Sequence, residues 1–473
     1  MPIQHRHAHR VVLDTTPAST DDFACDTTRA HGSTQYAEEV ASGTELWQRA
    51  KGLIPGGSLL LSKRSEMYLP SGWPAYFDRT EGCAVWGLDG SRYLDLGFMG
   101  VGTNVLGYSH PAVDAAVRNV VDKGNLSTLN APEEVYLAEE LLALHPWADM
   151  VRYARSGGEA CAIAVRIARA ATGRDKVAFC GYHGWHDWYL AANLSDDDSL
   201  DGHLLPGLEP NGVPRALTGT SMPFRYNDLA GLADLLRDNP DIGVIYMEPQ
   251  RSTPPQDGFL EGVRELATRH GVVLIFDECT SGFRRTLGGL HMHFGVEPDV
   301  ATFGKTLGNG YAITAVIGRE EVMQAAQSTF ISSTFWTERI GPAAALAALE
   351  VMRAEDAPAR VHQIGSNVQQ RWQALAHATN LEITVGGLPA LANFTIAGLD
   401  PIAVRTFITA QMLEAGYLAG VNLYASLAHT PEILDDYAAA LEPVFASLAT
   451  LDDETLAASL PDGPAQTGFR RLT

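Results

Sequence analysis

Five short apolar runs between residues 177 and 318 constrain the fold of this chain more than any other feature of its sequence. The runs alternate with stretches that have helical spacing. Strands that are apolar along their whole length are buried on both faces, which is typical of a parallel sheet covered by helices on both sides. The sequence therefore predicts an α/β fold with a mostly parallel sheet. The runs are VAFCG (177–181), GVIYME (243–248), VVLIFDE (272–278), DVATFG (299–304) and AITAVIG (312–318).

The segments on either side of these runs predict how the chain divides into domains. Residues 1–40 mix Thr, Ser, Asp and His without apolar periodicity, which is typical of a flexible tail. The segment CAVWGLDGSRYLDL (83–96) alternates apolar and polar residues about an Asp-Gly pair and predicts a β-hairpin. We expect residues 41–105 and 346–473 to form the N- and C-terminal parts of a small domain, and residues 106–345 to form the large domain.

The composition disfavours several classes of function. The chain of 473 residues has 34 basic and 56 acidic side chains, a formal net charge of −22, and no basic stripe of the kind that nucleic-acid binding requires. No apolar run approaches the roughly 18 residues of a membrane-spanning helix, and the N-terminus lacks the apolar segment of a secretory signal. The five cysteines lack metal-binding spacing. We therefore expect no nucleic acid, membrane or metal as a partner, and reduced thiols in a cytoplasmic protein.

Lys305, in the segment FGKTLGNG, is the most informative single residue. A lysine there could bind a phosphate, remain a solvated surface charge, or form a covalent bond to a carbonyl cofactor. A phosphate-binding P-loop would require glycine at the position of Asp299, so that interpretation fails. A surface charge is less common for a lysine that follows an apolar strand and lies between Gly304 and Gly308. The residues alone do not decide between a surface charge and a covalent bond.

Asp277, in the segment IFDECTSGFR, is a second candidate. It lies at the C-terminal end of another apolar run, and open α/β sheets bind their ligands at the carboxyl ends of the strands. A carboxylate buried there needs a cationic partner. Taken alone, Asp277 is better explained as a helix cap or a hydrogen-bonded loop acid.

Two further segments offer groups that could bind a ligand. Ser156, Gly157 and Gly158 open a long helix, and the exposed amides of a glycine-rich helix start bind anions, although Ser156 could simply cap the helix. The segment CGYHGWHDWYL (180–190) crowds Tyr182 and other aromatic and histidine side chains just after an apolar run. These side chains could pack in the core, form a lid, or supply a flat face for a planar ring.

Together and in this order, these segments resemble the class III pyridoxal-phosphate-dependent aminotransferases, in particular the glutamate-1-semialdehyde 2,1-aminomutase-like branch. The resemblance implies fold type I of pyridoxal-phosphate-dependent transferases: a large domain with a mostly parallel seven-stranded sheet, and a smaller α+β domain from the N- and C-terminal parts. It also implies pyridoxal 5′-phosphate as the cofactor and a homodimer with shared active sites. The segments that carry it are VWGLDGSRYLDL, LGYSHPAV, SGGEA, YHGWH, FDECTSGFR, FGKTLGNG and STFWTERIGPAAALAALE.

The resemblance also implies a role for each candidate residue. Lys305 would form the Schiff base with the cofactor and later move a proton, a double role that suits an amine whose pKa is lowered by burial or by a nearby cation. Asp277 would pair with the pyridine nitrogen and keep the ring cationic. The other implied cofactor contacts are Ser156, Gly157 and Gly158 at the phosphate (most relatives have threonine at the position of Gly158), Tyr182 on the ring face, Thr280 near the 3-oxygen, Glu248 near the ring edge, and Thr334 reaching the phosphate in the neighbouring subunit.

Two departures from the family pattern bear on the substrate. Lys63, followed by Arg64, replaces the arginine with which the aminomutases grip a substrate carboxylate, and lysine lacks the bidentate fork of arginine. The segment that contains Trp336 and Arg339 replaces a GGNP loop of the family. We expect the second change either to alter substrate recognition or to rearrange the subunit interface.

The expected function is therefore amino transfer from an amino-acid donor, glutamate by family analogy, to the carbonyl of a small metabolite that could be sugar-like. The alternative is the intramolecular amino transfer of a glutamate-1-semialdehyde 2,1-aminomutase. A racemase, epimerase or decarboxylase with the same cofactor is a further enzyme class to consider. Outside the enzymes, the chain could be a catalytically idle fold that serves as a binding protein, but the presence of both Lys305 and Asp277 argues against it.

Overall fold

A computed structural model describes residues 42–196, 198–203 and 206–468. The predicted tail, residues 1–40, lies outside the described residues. The strands are β1 (Phe77–Glu81), β2 (Ala84–Gly87), β3 (Arg92–Asp95), β4 (Met150–Ala154), β5 (Lys176–Cys180), β6 (Ser221–Pro223), β7 (Ile242–Met247), β8 (Val273–Glu278), β9 (Val300–Phe303), β10 (Thr314–Gly318), β11 (Ile383–Gly386), β12 (Leu391–Ile396), β13 (Tyr417–Leu418) and β14 (Asn422–Tyr424).

Helices connect and cover these strands. The α-helices are α1 (Gly43–Leu53), α2 (Met99–Gly102), α3 (Pro111–Asp122), α4 (Glu133–Leu144), α5 (Gly157–Thr172), α6 (Asp187–Leu190), α7 (Leu229–Asp238), α8 (Phe259–His270), α9 (His291–Phe294), α10 (Glu320–Met323), α11 (Ile340–Ala354), α12 (Ala357–Thr379), α13 (Pro401–Glu414), α14 (Pro431–Leu448) and α15 (Asp453–Ala458). Short 3₁₀ helices span Leu61–Lys63, Ser65–Met67, Ala191–Leu194, Arg215–Leu217, Lys305–Gly308, Gln324–Ser328 and Thr334–Thr337. None of the helices in the described ranges is long and apolar enough to cross a bilayer.

The central sheet has seven strands in the order β4-β10-β9-β8-β7-β5-β6. The pairs from β9 through β8, β7 and β5 to β6 are parallel, whereas β10 is antiparallel to both β9 and β4. The five apolar runs correspond to β5 and β7–β10. The predicted mostly parallel sheet is confirmed.

The apolar runs are continuous because helices cover both faces of this sheet. Along β5, Val177 and Phe179 pack on the side of α5, whereas Ala178 and Cys180 pack on the side of α7 and α8. Alternate side chains of a strand point to opposite faces, so a strand covered on both faces is apolar at every position. All six residues of β7 and all six of β8 are accordingly buried.

Among the described residues there are two smaller sheets, and one of them joins distant parts of the chain. The first has the order β1-β2-β3-β13, in which β13 from the C-terminal part pairs in parallel with β3 from the N-terminal part. The pairing of β2 with β3 is antiparallel and confirms the hairpin predicted for residues 83–96. The second sheet, β11-β12-β14, lies wholly in the C-terminal part. The domain boundaries at residues 105 and 345 remain predictions.

Candidate active site

Three predicted residues lie at the carboxyl ends of neighbouring parallel strands. Glu248 directly follows β7, Asp277 is the next-to-last residue of β8, and Lys305 lies two positions after β9. Because parallel strands place their carboxyl ends at one edge of the sheet, these side chains converge although they are distant in the sequence. The fold thereby brings an amine and two carboxylates together at the edge where α/β sheets bind ligands.

Lys305 lies at the centre of this group. Its Nζ atom donates a hydrogen bond to Oγ1 of Thr280 at 2.9 Å. Burial, together with the nearby cations Arg251 and Arg284, lowers the pKa of Lys305 to about 8 against the opposing effect of Glu248. The amine is therefore neutral, and able to act as a nucleophile, at a lower pH than an ordinary lysine.

The backbone of Lys305 is also unusual. Its φ angle is 23°, in a region that residues with a side chain rarely adopt. Residues in such conformations cost free energy and cluster at functional sites, where the surrounding structure holds them. The 3₁₀ helix that begins at Lys305 and the buried strand before it provide that support.

Asp277 is almost wholly buried yet remains an acceptor at both carboxylate oxygens. Its Oδ2 lies 2.7 Å from Nδ1 of His183, and its Oδ1 accepts from the backbone N–H of Cys279 at 3.0 Å and from Oγ1 of Thr302 at 3.2 Å. Burial acts to raise the pKa of Asp277, but the hydrogen bond and charge of His183 and the further donors lower it below its ordinary value. The carboxylate is therefore ionised and can pair with a cation.

His183 is a positioning residue that the sequence pattern placed only in an aromatic cluster. Its side chain is buried, its Nδ1 faces Asp277, and its Nε2 lies 3.2 Å from the carbonyl oxygen of Cys180. The ring is thus fixed at both nitrogens between the ends of β5 and β8. The only sequence signal for this role is its place directly after an apolar run.

Arg284 was also missed, although it ends the segment FDECTSGFR. Its side chain is fully buried, its Nε donates to the carbonyl oxygen of Thr280 at 2.7 Å, and its Nη2 donates to the carbonyl oxygen of Gly102. Burial lowers the pKa of Arg284 to about 10. Arg284 thus holds the residue that accepts the Lys305 hydrogen bond, and its charge lowers the pKa of that lysine.

The start of α5 forms the third part of the site. Ser156 is the N-cap of the helix, and Glu159 in the first turn accepts from the backbone N–H of Ser156 at 2.9 Å. A Cβ atom added to Gly158 would lie 3.0 Å from the ring of His186. The threonine that the family resemblance implies for this position would therefore fit only if the His186 ring moved.

His186 brings an unpaired polar atom to the same place. Its Nδ1 is buried and has no hydrogen-bond partner among the described residues. Exposed amides at a helix start attract anions, and a buried nitrogen without a partner beside them is a further group that a phosphate could satisfy. The histidine occupies the space that a threonine side chain would otherwise take.

Tyr182 and Glu248 are linked to each other. The backbone N–H of Tyr182 donates to Oε2 of Glu248 at 3.4 Å, and the Tyr182 ring packs edge-on against Tyr189. Glu248 also forms an ion pair with Arg251 at 3.2 Å. Arg251 is a third site residue that was missed; its signal is a basic residue three positions after an acid that directly follows a buried strand.

The segment 334–339 is anchored within its own chain. Thr334 is exposed, at the start of a 3₁₀ helix. Trp336 donates from Nε1 to Oε1 of Glu159 at 3.3 Å, and Arg339 contacts both carboxylate oxygens of Glu133, at 2.6 and 3.2 Å. Trp336 therefore ties the segment 334–339 to the start of α5, and Arg339 ties it to the start of α4. Their roles toward cofactor and substrate remain predictions.

Lys63 and Arg64 lie in the segment between α1 and β1. Lys63 is exposed at the end of a 3₁₀ helix, and the guanidinium of Arg64 lies against Gly56. Neither is among the charged groups that shift the pKa of Lys305. Their predicted contact with substrate remains a prediction.

Comparison with known proteins identifies the family. The sequence profile of the class III aminotransferases matches residues 70–425. The chain belongs to the class III aminotransferases. It is 36% identical over 323 residues to 3-aminobutyryl-CoA aminotransferase of Cloacimonas acidaminovorans (strain Evry), a match that covers 66% of this chain and 73% of that protein.

Solved structures agree with this assignment. The FumI protein of Sphingopyxis sp. MTA144, in its PLP internal aldimine form, superposes with a TM-score of 0.78 at 25% identity, covering 88% of this class III aminotransferase and 99% of FumI. A glutamate-1-semialdehyde aminomutase of Pseudomonas aeruginosa PAO1 has the same fold, with a TM-score of 0.73 at 22% identity, and the match covers 86% and 94% of the two chains. The predicted fold class and the dependence on pyridoxal 5′-phosphate are confirmed.

The residues present fit this cofactor. Pyridoxal 5′-phosphate, when bound, supplies an aldehyde that bonds to a lysine amine and a ring that withdraws electrons from the reacting carbon. Lys305 supplies an amine of lowered pKa, Asp277 an ionised carboxylate for the ring nitrogen, and the start of α5 the amides for a phosphate. His186, with its unpaired Nδ1, adds a group that an anion would satisfy.

The lowered pKa of Lys305 predicts how fast the apoenzyme takes up its cofactor at different pH values. Only the neutral amine attacks an aldehyde, so the rate constant for covalent capture of pyridoxal 5′-phosphate should rise with pH and level off above a midpoint of about 8. Stopped-flow absorbance of the apoenzyme mixed with cofactor would measure it. A midpoint near 10.5, the ordinary value, would contradict the environment described for this amine.

Proposed function

We propose that this aminotransferase moves an amino group from an amino-acid donor, glutamate in the first instance, to the carbonyl of a separate small metabolite. The observation that carries the proposal is the exposed Lys63, at the position that the family resemblance matches to the arginine with which the aminomutases bind the substrate carboxylate. Without that fork, the intramolecular reaction on glutamate-1-semialdehyde loses its main carboxylate contact, whereas amino transfer between two substrates does not depend on it.

The class of acceptor is also part of the proposal. A sugar-like or other specialised carbonyl compound fits a site that lacks the aminomutase arginine. The 36% identical relative is named for 3-aminobutyryl-CoA, which makes compounds with a carbonyl β to a carboxyl-derived group, to be converted there to the amine, a second acceptor class to test. Glutamate-1-semialdehyde remains the substrate of the alternative reaction, because an aminomutase shares the fold.

We propose the following role for each residue, as the family resemblance implies. Nζ of Lys305 takes a proton from the substrate carbon and returns it during amino transfer, while Oγ1 of Thr280 orients it. Asp277, held by His183, keeps a proton on the ring nitrogen. Ser156, Gly157 and Gly158 bind the phosphate, Tyr182 covers the ring face, and Glu248 lies at the ring edge.

We also propose a cytoplasmic homodimer. Thr334 is exposed, and the nearby side chains Phe330 and Phe335 are 85% and 68% exposed, an apolar surface of the kind that a second subunit buries. Thr334 of one subunit would then reach the phosphate bound by its partner. The four cysteines in the described ranges are free thiols, in keeping with a reducing compartment.

A screen of amino donors tests the proposed function. Purified holoenzyme should be yellow, and glutamate should convert it to the pyridoxamine form and release 2-oxoglutarate, because the donor leaves as a keto acid. Absorbance spectra and keto-acid assays follow the two events, with each donor added separately. Spectral conversion without release of any keto acid would favour an internal mutase. No spectral change with any donor would favour the idle binding protein.

A further inference from the structure

The strongest unassigned feature is the cavity beside Glu248. It has a volume of about 670 Å³, in the range of small-molecule sites, and it opens at the carboxyl ends of β5, β6 and β7. Its wall includes Glu248, Arg251, Ser252, Thr253 and Tyr226. Lys305 does not line the cavity, but the wall is joined to the end of β5 beside the site, since the N–H of Glu248 donates to the carbonyl of Cys180 at 3.3 Å, and the charges of Glu248 and Arg251 act on the pKa of Lys305.

The contact between Arg251 and Glu248 is not the usual arginine–carboxylate pair. In the usual bidentate pair, two nitrogens of the arginine each donate a hydrogen bond to one oxygen of the carboxylate, in a planar arrangement. Here one nitrogen, Nη1, makes both contacts, at 3.3 Å to Oε1 and 3.2 Å to Oε2 of Glu248. The Nε and Nη2 atoms of Arg251 have no acceptor among the described residues. The side chain therefore keeps one complete donor edge, Nε with Nη2, that its own chain does not use.

The surroundings of Arg251 hold that edge in place. Its side chain is 25% exposed, and Glu248, which anchors Nη1, is 8% exposed and also accepts from the N–H of Tyr182. The loop that carries Arg251 is tied to the C-terminal part of the chain, since the N–H of Gly387 donates to the carbonyl of Ser252 at 3.3 Å. A positioned cation with a free donor edge in a cavity is a binding group for a planar anion.

We propose that the Nε–Nη2 edge of Arg251 binds the carboxylate of the amino-acid substrate, and that Glu248 orients the guanidinium for this purpose. The proposal rests on the proposed amino-acid donor and deepens it. It places the carboxylate subsite at the end of β7 rather than at Lys63. The other charged groups of the cavity, Asp198 and Arg225, are exposed and lie at its rim.

The first experiment measures binding without catalysis. Glutarate is a dicarboxylate without an amino group, so it can occupy the subsite of the holoenzyme but cannot react. Calorimetric titration should show that glutarate binds the wild type at least ~30-fold more tightly than it binds Arg251→Gln, as expected when one partner of a desolvated charge pair is removed. Glutaramide, which has the same shape and no charge, should bind both proteins equally weakly.

The second experiment separates carboxylate recognition from chemistry. In single-turnover reactions, Arg251→Gln should raise the half-saturating concentration of glutamate at least ~30-fold and leave the half-saturating concentration of sec-butylamine, which has no carboxylate, unchanged. Arg251→Lys retains the charge but not the fork and should lie between the two. Arg237→Gln, an exposed arginine on α7 that pairs with Asp234 and Asp238, is the matched control and should match the wild type.

The outcomes distinguish this proposal from the proposed function. An equal effect of Arg251→Gln on glutamate and sec-butylamine, with unchanged glutarate binding, would overturn the carboxylate subsite while leaving amino transfer intact. A wild type that binds glutarate through Arg251 but takes no amino group from any donor would support the subsite and overturn the function. If Arg251→Gln does not fold, the titrations of the wild type alone decide the test. Binding of glutaramide as tight as that of glutarate would then overturn the carboxylate subsite.

Discussion

Replacing Lys305 with alanine should abolish covalent attachment of the cofactor and nearly all amino transfer. The variant loses the amine that bonds the aldehyde and also the base that moves the proton on the substrate carbon. Proton transfer by a positioned side chain alone accelerates reactions by about 10²–10⁴-fold, so turnover should fall by at least that factor. Steady-state assays give the loss, and borohydride reduction followed by peptide mass spectrometry locates the attachment.

The control for this prediction is Lys176→Ala. Lys176 begins β5, at the edge of the sheet opposite the site, and its amine forms an ion pair with Asp241. Its removal should leave the borohydride-labelled peptide around position 305 unchanged. A small added amine should restore part of the turnover of Lys305→Ala, because it supplies the missing base. Labelled cofactor on any other lysine of the wild type would refute the assignment.

The central sheet could be predicted because its strands carry a strong local signal. In β7 and β8 every residue is buried, and the sequence shows an apolar run through all of β7 and through the first four residues of β8, before Asp277 and Glu278. The strands β4 and β6 carry no such signal. β4 lies at the sheet edge with four of its five residues only partly buried, and β6 is a three-residue edge strand that ends in Pro223. Edge strands pair on one side only, and tertiary contacts rather than local pattern decide their formation.

The site was predictable only for residues that end an apolar run. Asp277 and Lys305 stand at such ends, and the order of the family segments supplied their roles. His183, Arg251 and Arg284 could not be assigned in the same way, because their function depends on contacts that the sequence does not show. Each acts through a partner at least three positions away, and the partner of His183 is 94 positions away. The pair of His183 with Asp277 forms only once the ends of β5 and β8 lie at the same edge of the sheet, whereas Arg251 and Arg284 contact partners three and four positions away.

Replacing Asp277 with alanine should leave an enzyme that binds its cofactor and hardly turns over. Lys305 and the start of α5 remain to hold the cofactor, but the ring nitrogen loses the anion that keeps it protonated. Removing one partner of a buried ion pair costs about 3–5 kcal/mol, which corresponds to a factor of roughly 10²–10⁴ in turnover if the pair matters most in the transition state. Steady-state kinetics and an absorbance titration with cofactor measure the two effects separately.

Two variants show whether this loss reflects the charge of Asp277 or damage to the fold. Asp299→Asn removes a partly buried carboxylate at the opposite edge of the sheet, where Asp299 pairs with Arg264 and Arg319, and it should lower stability rather than turnover. His183→Gln keeps a donor beside Asp277 but removes the charge that helps to lower its pKa, so turnover should fall less and decline as the pH is lowered. Near-normal turnover in Asp277→Ala would mean that the ring nitrogen needs no anionic partner here, and the role of the β8 carboxylate would then be confined to holding His183.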